Sequence, residues 1–419
     1  MVHAVAYRWV CKEAFVSNGA GADVAFLNIF DPEYTPDSPE VAAAREQHWW
    51  AQTPMAPMIL RHGEARELLG DRRLVHGAQR YMASHGVTDG PTADWWAGAL
   101  MSLEGEDHTR IRSLVQRAFS TARVDELRPF ARATGERLIG ELDRSGCEFA
   151  GDFAEPYPSL IMCELLGVPP EEYERFHGSA RDIGLAFSRD ITPEQLPRID
   201  AAVLDLSGYV EDLIARRRAD LGDDLLSGLI TVEEGGERLS AEELHNLVLI
   251  LIWSGQDTTA RQLGRGLVAF AEHPDQWDLL ASKPELVDQA VDEVCRWSPQ
   301  ARMLWRFATE PITHNDLEIP AESMILLSVV AANRDPRAWG GEPERFDITT
   351  PPPRAFNLDF SSGIHHCLGS ALARMEMSEA LLLLTRELGP PSIAGEVVWR
   401  PPAAAIHGPD VLPLSFAGR

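Results

Sequence analysis

Along most of residues 36–297 the apolar positions recur three and four apart, the spacing of one face of a helix. "GYVEDLIARRRADL" (208–221) and "DEVCRWS" (292–298) carry this period clearly. "SPEVAAAREQHWW" (38–50) and "SAEELHNLVLILIW" (240–253) each begin with a serine whose hydroxyl can cap a helix start. Strand-like runs are few: "MILLSVVAAN" (324–333), then "VVW" (397–399) and "VLPLSF" (411–416) toward the chain end. Residues 299–363 are rich in Pro and Gly and read as mostly irregular, and helical spacing resumes in "SALARMEMSEALLLLTREL" (370–388). No repeat or long Gly/Ser linker interrupts this pattern. It predicts a mainly α fold with small β-sheets, one domain over residues 24–419, and a loosely attached extension over 1–23.

Composition narrows the function classes. The 419 residues are 45% hydrophobic and 24% charged, as in a folded globular protein, and the formal net charge is -26. Nucleic acid and anionic membranes call for basic surface, so neither is an expected partner. Cys11, Cys147, Cys163, Cys295 and Cys367 are scattered and odd in number, which argues against a disulfide framework and for a reducing compartment. The longest apolar run, "LVLILIW" (247–253), is too short to span a bilayer, and the first residues lack a signal-peptide core. The expected location is the cytoplasm.

The decisive chemistry sits in "FSSGIHHCLG" (360–369). Contiguous His365, His366 and Cys367 cannot all reach one tetrahedral ion, because consecutive side chains diverge, and no second Cys/His pair at ligand spacing exists. A nucleophilic cysteine would need a base and a cleft that nothing nearby suggests. One reading uses the whole loop. Cys367 precedes a helix whose N–H groups and dipole point at its sulfur, the setting that stabilises a thiolate. Gly363 and Gly369 let backbone pass close to a flat ligand, Phe360 gives an aromatic wall, and His365 can reach an anionic group at the ligand's edge. Such a loop suits an iron porphyrin with an axial thiolate. His366 has no assigned role and is expected at the surface.

With Phe360, Gly363, His365, Cys367 and Gly369 in place, the loop resembles the haem-binding signature of the cytochrome P450 superfamily, with Ser361 where many relatives carry Gly. Other segments agree in family order. "LILIWSGQDTTARQLG" (249–264) resembles the helix that crosses above the haem, and implies Asp257 and Thr258 as the acid–alcohol pair that delivers protons to bound dioxygen. Thr258 can bond back to a carbonyl and open the helix there, while Ser254 stands where Ala or Gly is commoner. Glu293 and Arg296, three apart, resemble the family's buried pair, completed by Arg345 of "PERF". His108 and Arg112 in "EDHTRIRSLVQRAF", Arg306 in "LWRFATE", and His365 match the family's propionate partners. Arg110 and Arg117 are candidates for docking an acidic electron donor. "DDLLSGLI" and "ANRDP" are phrases of the bacterial members.

The resemblance implies haem b as cofactor and a monooxygenase that inserts one atom of O2 into a small molecule. Electrons come from NAD(P)H through a separate ferredoxin and ferredoxin reductase, since no flavin or Fe–S motif is fused here. By family position, Trp95, Trp96, Ser254, Met303 and Leu304 line the substrate pocket. That composition points to an aromatic specialised metabolite, with indole-bearing and peptide-derived molecules as first candidates, oxidised by hydroxylation or C–C coupling. The alternatives are a terpene, polyketide or fatty-acid substrate, and a peroxide-driven or non-catalytic haem protein.

Overall fold

The computed structural model describes residues 24–189, 191–235, 239–350 and 357–418. The predicted 1–23 extension lies outside them. The organising element is the central helix Ala241–Glu272, apolar around most of its circumference and therefore buried. Its start is set locally: Ser240 Oγ accepts from the Glu243 N–H at 3.1 Å while Glu243 Oε2 accepts from the Ser240 N–H at 2.8 Å. Helices Pro156–Leu166, Tyr173–Ile183, Leu196–Ala219, Val287–Trp297 and Ser370–Glu387 pack around it. Gly255 in mid-helix is required by this packing, because a Cβ there would collide with Met162 of Pro156–Leu166.

The segment expected to be irregular contains the middle of the largest sheet. Its strands run Trp50–Ala51, Met58–Ile59, Met324–Ser328, Met303–Ala308, Leu74–Val75, and only the Met58–Ile59 to Met324–Ser328 pairing is parallel. "MILLSVVAAN" changes state halfway: Ser328 Oγ accepts from the Ala331 N–H at 3.2 Å and caps a short helix, Val329–Asn333. Similarly, the Ser38-capped helix ends at Gln47, and Trp50 already belongs to the sheet. One face of the sheet packs on the main core through Trp305 and Phe307; the other covers a smaller core with Leu304 and Ala308. Pro413–Phe416 lies between Cys147–Glu148 and Pro391–Ile393, and Val398–Trp399 pairs with Pro409–Val411.

Arginine or histidine is the cation of every ion pair among the described residues. Among the most buried is Glu293–Arg296, on one face of Val287–Trp297. Arg296 donates bidentately to Glu293 (2.7 and 2.8 Å) and to the carbonyls of Asn333 (3.2 Å), Pro343 (2.7 Å) and Arg345 (2.9 Å). All five of its N–H donors are thus used. Glu293 also accepts from the Asp347 N–H at 2.8 Å, and Asn333 Oδ1 from the Leu358 N–H at 2.8 Å, two residues before Phe360. Arg345 enters by its carbonyl, not by the guanidinium expected from the resemblance; its side chain is exposed. A third charge has no acceptor left to meet. The Glu344 carboxylate takes Arg45 and Arg334 instead.

Arg296→Ala should strand a buried carboxylate and cost about 3–5 kcal/mol, whereas Arg345→Ala should stay within about 0.5 kcal/mol. Urea unfolding of both variants checks this, and comparable losses would reinstate the Arg345 side chain in the network.

Candidate active site

A cavity of about 260 Å³ lies between the central helix, the loop 360–369 and the helix Gly105–Gln116. Cys367 lines it. The Cys367 N–H donates to the Phe360 carbonyl at 2.9 Å, closing the loop, and the helix Ser370–Glu387 begins directly after Gly369. The thiol has accessible surface toward the cavity yet lies deep in the protein. Burial pushes it up to about 11, outweighing the Gly369 N–H and Arg112, which pull it down. Helix and arginine alone therefore do not make it a thiolate at neutral pH; a bound cation would.

Among the described residues no group of three His, Cys, Asp or Glu side chains is placed to hold a metal. Cys367 is then suited to a metal that brings its other donors with it, as a porphyrin does. The basic groups match the carboxylates of such a ligand. His108, Arg112 and His365 line the cavity, and their rings or guanidinium gather at one edge, with His108 and His365 centroids 4.8 Å apart. Arg306 is buried, donates to the Trp305 carbonyl (2.7 Å) and Ser361 Oγ (3.2 Å), and has no carboxylate within ion-pairing distance among the described residues. Burial lowers it to about 10. These residues fit haem.

Several details depart from the sequence expectation. His365 Nε2 pairs with Glu104 at 3.0 Å, an acid that sequence reasoning overlooked although it sits one turn before His108. His366 is not a surface residue: its ring is half-buried at the cavity, and its carbonyl accepts from Arg112 at 2.6 Å. Gly363 is needed for protein packing, not for a ligand, since φ is 73° and a Cβ would strike the Leu69 carbonyl. Gly369 does face the cavity. Ser361 holds φ 59° and ψ -167°, a region that favours glycine, and its hydroxyl is anchored by Arg306. Phe360 lines the cavity with Arg374 stacked 5.1 Å from its ring centroid.

On the opposite wall Ser254 and Thr258 line the cavity, and Thr258 Oγ1 donates to the Ser254 carbonyl at 2.9 Å. The helix nevertheless runs unbroken from Ala241 to Glu272, so this back-bond does not open it. Asp257 does not line the cavity. Arg400 holds it bidentately (2.5 and 2.7 Å) and Arg261 at 3.1 Å. Burial alone would raise its carboxyl, but the two guanidinium groups outweigh this and hold it below the usual range. Adjacent positions on a helix point about 100° apart, which separates the acid from the alcohol.

The cavity carries a different acid. Glu376, on the buried face of Ser370–Glu387, lines it with one carboxyl oxygen unpartnered among the described residues. Burial pushes it well above the ordinary range, against a bond from Thr259. Between Met375 and Met377 the sequence carries no sign that sets Glu376 apart from Arg374 and Glu379 in "ARMEMSEALLLL".

Trp95 and Trp96 are buried and do not line the cavity. Trp96 packs on Phe187 (4.2 Å), which stacks on Trp253 (4.2 Å, 7°), and Trp253 is the tryptophan that reaches the cavity. Met303 borders a second cavity, while Leu304, one residue on, faces the smaller core. Arg110 pairs with Glu243 at 2.6 Å, and Arg117 is exposed. No described helix is long and apolar enough to cross a membrane.

Known proteins agree with this geometry. Residues 276–388 match the family model described as Cytochrome P450. The chain is 39% identical over 398 residues to luteothin monooxygenase of Streptomyces thioluteus, covering 94% of this chain and 97% of that one. It is 34% identical over 330 residues to 6-deoxyerythronolide B hydroxylase of Saccharopolyspora erythraea, covering 78% and 80%. The solved structure of CxnD, a cytochrome P450 for C–S bond formation in chuangxinmycin biosynthesis, superposes with a TM-score of 0.83 at 28% identity, covering 94% and 98%. A cysteine at the floor of a buried cavity, basic groups at its edge and this breadth of similarity make the chain a member of the cytochrome P450 superfamily, a haem-thiolate monooxygenase of the bacterial specialised-metabolite group.

Proposed function

We propose that residues 24–419 form a cytoplasmic monooxygenase domain that binds haem b with Cys367 as axial ligand and oxidises an aromatic specialised metabolite. The observation that carries the reading is Cys367 at the base of a large cavity, with no other metal-ligating cluster among the described residues. Bound there, haem supplies the reductive activation of O2, so that RH + O2 + 2 electrons + 2 protons gives ROH + H2O.

The chain's own residues hold and steer that chemistry. Arg112 and Arg306 would offset the charge of the two haem carboxylates, and His108 and His365, the latter bonded to Glu104, would hydrogen-bond them. Thr258 Oγ presents a hydroxyl to the cavity, and the Glu376 carboxyl, bonded to Thr259 and favoured in its neutral form by burial, faces it one helix away. Asp257 is a positioning residue: it ties the central helix through Arg400 to the C-terminal hairpin. Electrons arrive from a separate ferredoxin and its reductase; the exposed Arg117 is a better contact than Arg110, which Glu243 engages.

The aromatic reading rests on Trp253, Phe119 and Phe360, which line the cavity, in place of Trp95 and Trp96. Ser254 adds a polar point beside them. Hydroxylation and C–C coupling both remain products of the same site. A polyketide substrate is the second reading, favoured by the similarity to 6-deoxyerythronolide B hydroxylase and to the polyketide-biosynthesis cytochrome P450 PksS of Bacillus subtilis, 29% identical over 368 residues.

Cys367→Ser should fold but lose the red-shifted absorption band of the reduced CO complex; a retained band would exclude Cys367 as the ligand. Thr258→Ala, supplied with ferredoxin, reductase and NADPH, should divert most consumed electrons to hydrogen peroxide, and unchanged coupling would move the proton route to another residue. In Soret titrations, indole and other aromatic candidates should bind more tightly than macrolactones, terpenes or fatty acids; the reverse order would replace the aromatic reading.

A further inference from the structure

The second cavity, about 50 Å³, is separated from the first by one aromatic layer: Phe187 lines it and stacks on Trp253, which lines the other. Its walls include Met58, Met303, Met324 and Trp305, apolar and, through the thioethers, adaptable in shape. Into this lining the chain places Arg302. Its backbone is fixed, the carbonyl accepting from the Val329 N–H at 3.1 Å. Its guanidinium is largely buried and makes no hydrogen bond or ion pair with any described residue.

That is an anomaly in this molecule. The chain carries 64 acidic residues against 38 basic ones. Of the other deep guanidinium groups, Arg261, Arg296 and Arg400 are met by carboxylates, and Arg265 and Arg306 donate to carbonyls and neutral side chains. Asp37 is the main charge that favours the Arg302 cation, but it is exposed and makes no ion pair with it; Arg189 and Arg265 oppose it, and His407 is held neutral. A buried planar cation without a partner is disfavoured, and its fork geometry matches a carboxylate.

We propose that Arg302 reads a carboxylate on the substrate, so that the enzyme acts on an apolar molecule carrying an acid group in the smaller cavity while its oxidised end reaches the larger one. This rests on the monooxygenase reading of the larger cavity, and it specifies the substrate beyond its apolar body. Arg302 is a specificity residue and takes no part in the chemistry.

Isothermal titration of the holoprotein with two matched pairs tests it: naphthalene-2-acetate against naphthalene-2-acetamide, and decanoate against decanamide. In the pair whose apolar body fits, the acid should bind at least tenfold more tightly than the amide. Arg302→Gln should reduce acid affinity to that of the amide and leave the amide unchanged, while Arg302→Lys should keep part of the preference. Equal affinities within both pairs, no binding of either acid, or a preference that survives Arg302→Gln would overturn the proposal. The wild-type comparison decides even where a variant folds poorly. Failure of the underlying reading has its own signature, loss of the red-shifted CO band in the wild type, and a preference for decanoate over naphthalene-2-acetate would revise only the aromatic body.

Discussion

Burying charge is the constraint on which this structure depends. An ionised side chain is tolerated in an apolar interior only where opposite charge or a full set of hydrogen bonds meets it. Arg296 satisfies that condition to the last N–H, and in doing so pins two distant segments, one at Asn333 and one at Pro343 and Arg345. Through Asn333 the same network reaches Leu358 and the start of the cysteine loop. The position of the reactive sulfur is thereby set from behind. Of the groups not so matched, Arg302, Glu376 and Cys367 line the two cavities, and Arg306 is bonded to Ser361 of the cysteine loop.

What the sequence made legible was chemistry confined to short stretches. The cysteine loop is ten contiguous residues, the Glu293–Arg296 pair spans one helical turn, and Ser240 with Glu243 announces the start of the central helix. The cavity edge with His108 and Arg112 is equally local, one face of one helix. The elements that escaped depend on distant partners or on alternation within a strand. Asp257 meets Arg400, 143 positions later, and nothing near "QDTTAR" indicates that its carboxylate turns away from Thr258. Leu304 and Met303 face opposite cores because a strand replaces the expected irregular segment. Trp95 and Trp96 have the composition of a pocket, but Phe187 and Trp253 stand between them and the cavity.

The central helix shows how one element serves two environments. One face offers Ser254 and Thr258 to the cavity; the next offers Asp257 and Arg261 to a dry ion network that also includes Glu155, Arg400 and Asp410. The C-terminal hairpin is held by this second face, and the turn between its strands borders the smaller cavity through Pro402 and Ala405.

The choice of arginine for the cations has a further consequence. Lys12 and Lys283 are the only lysines among 38 basic residues. A guanidinium keeps its charge at any pH the fold survives, so alkaline conditions leave the ion pairs intact while carboxylates remain ionised. Amine-directed reagents meet a nearly blank surface: among the described residues they find Lys283 alone, exposed at the end of the helix Pro274–Ser282. A label or an immobilising link can be installed at that one ammonium without neutralising a single cation of the buried network.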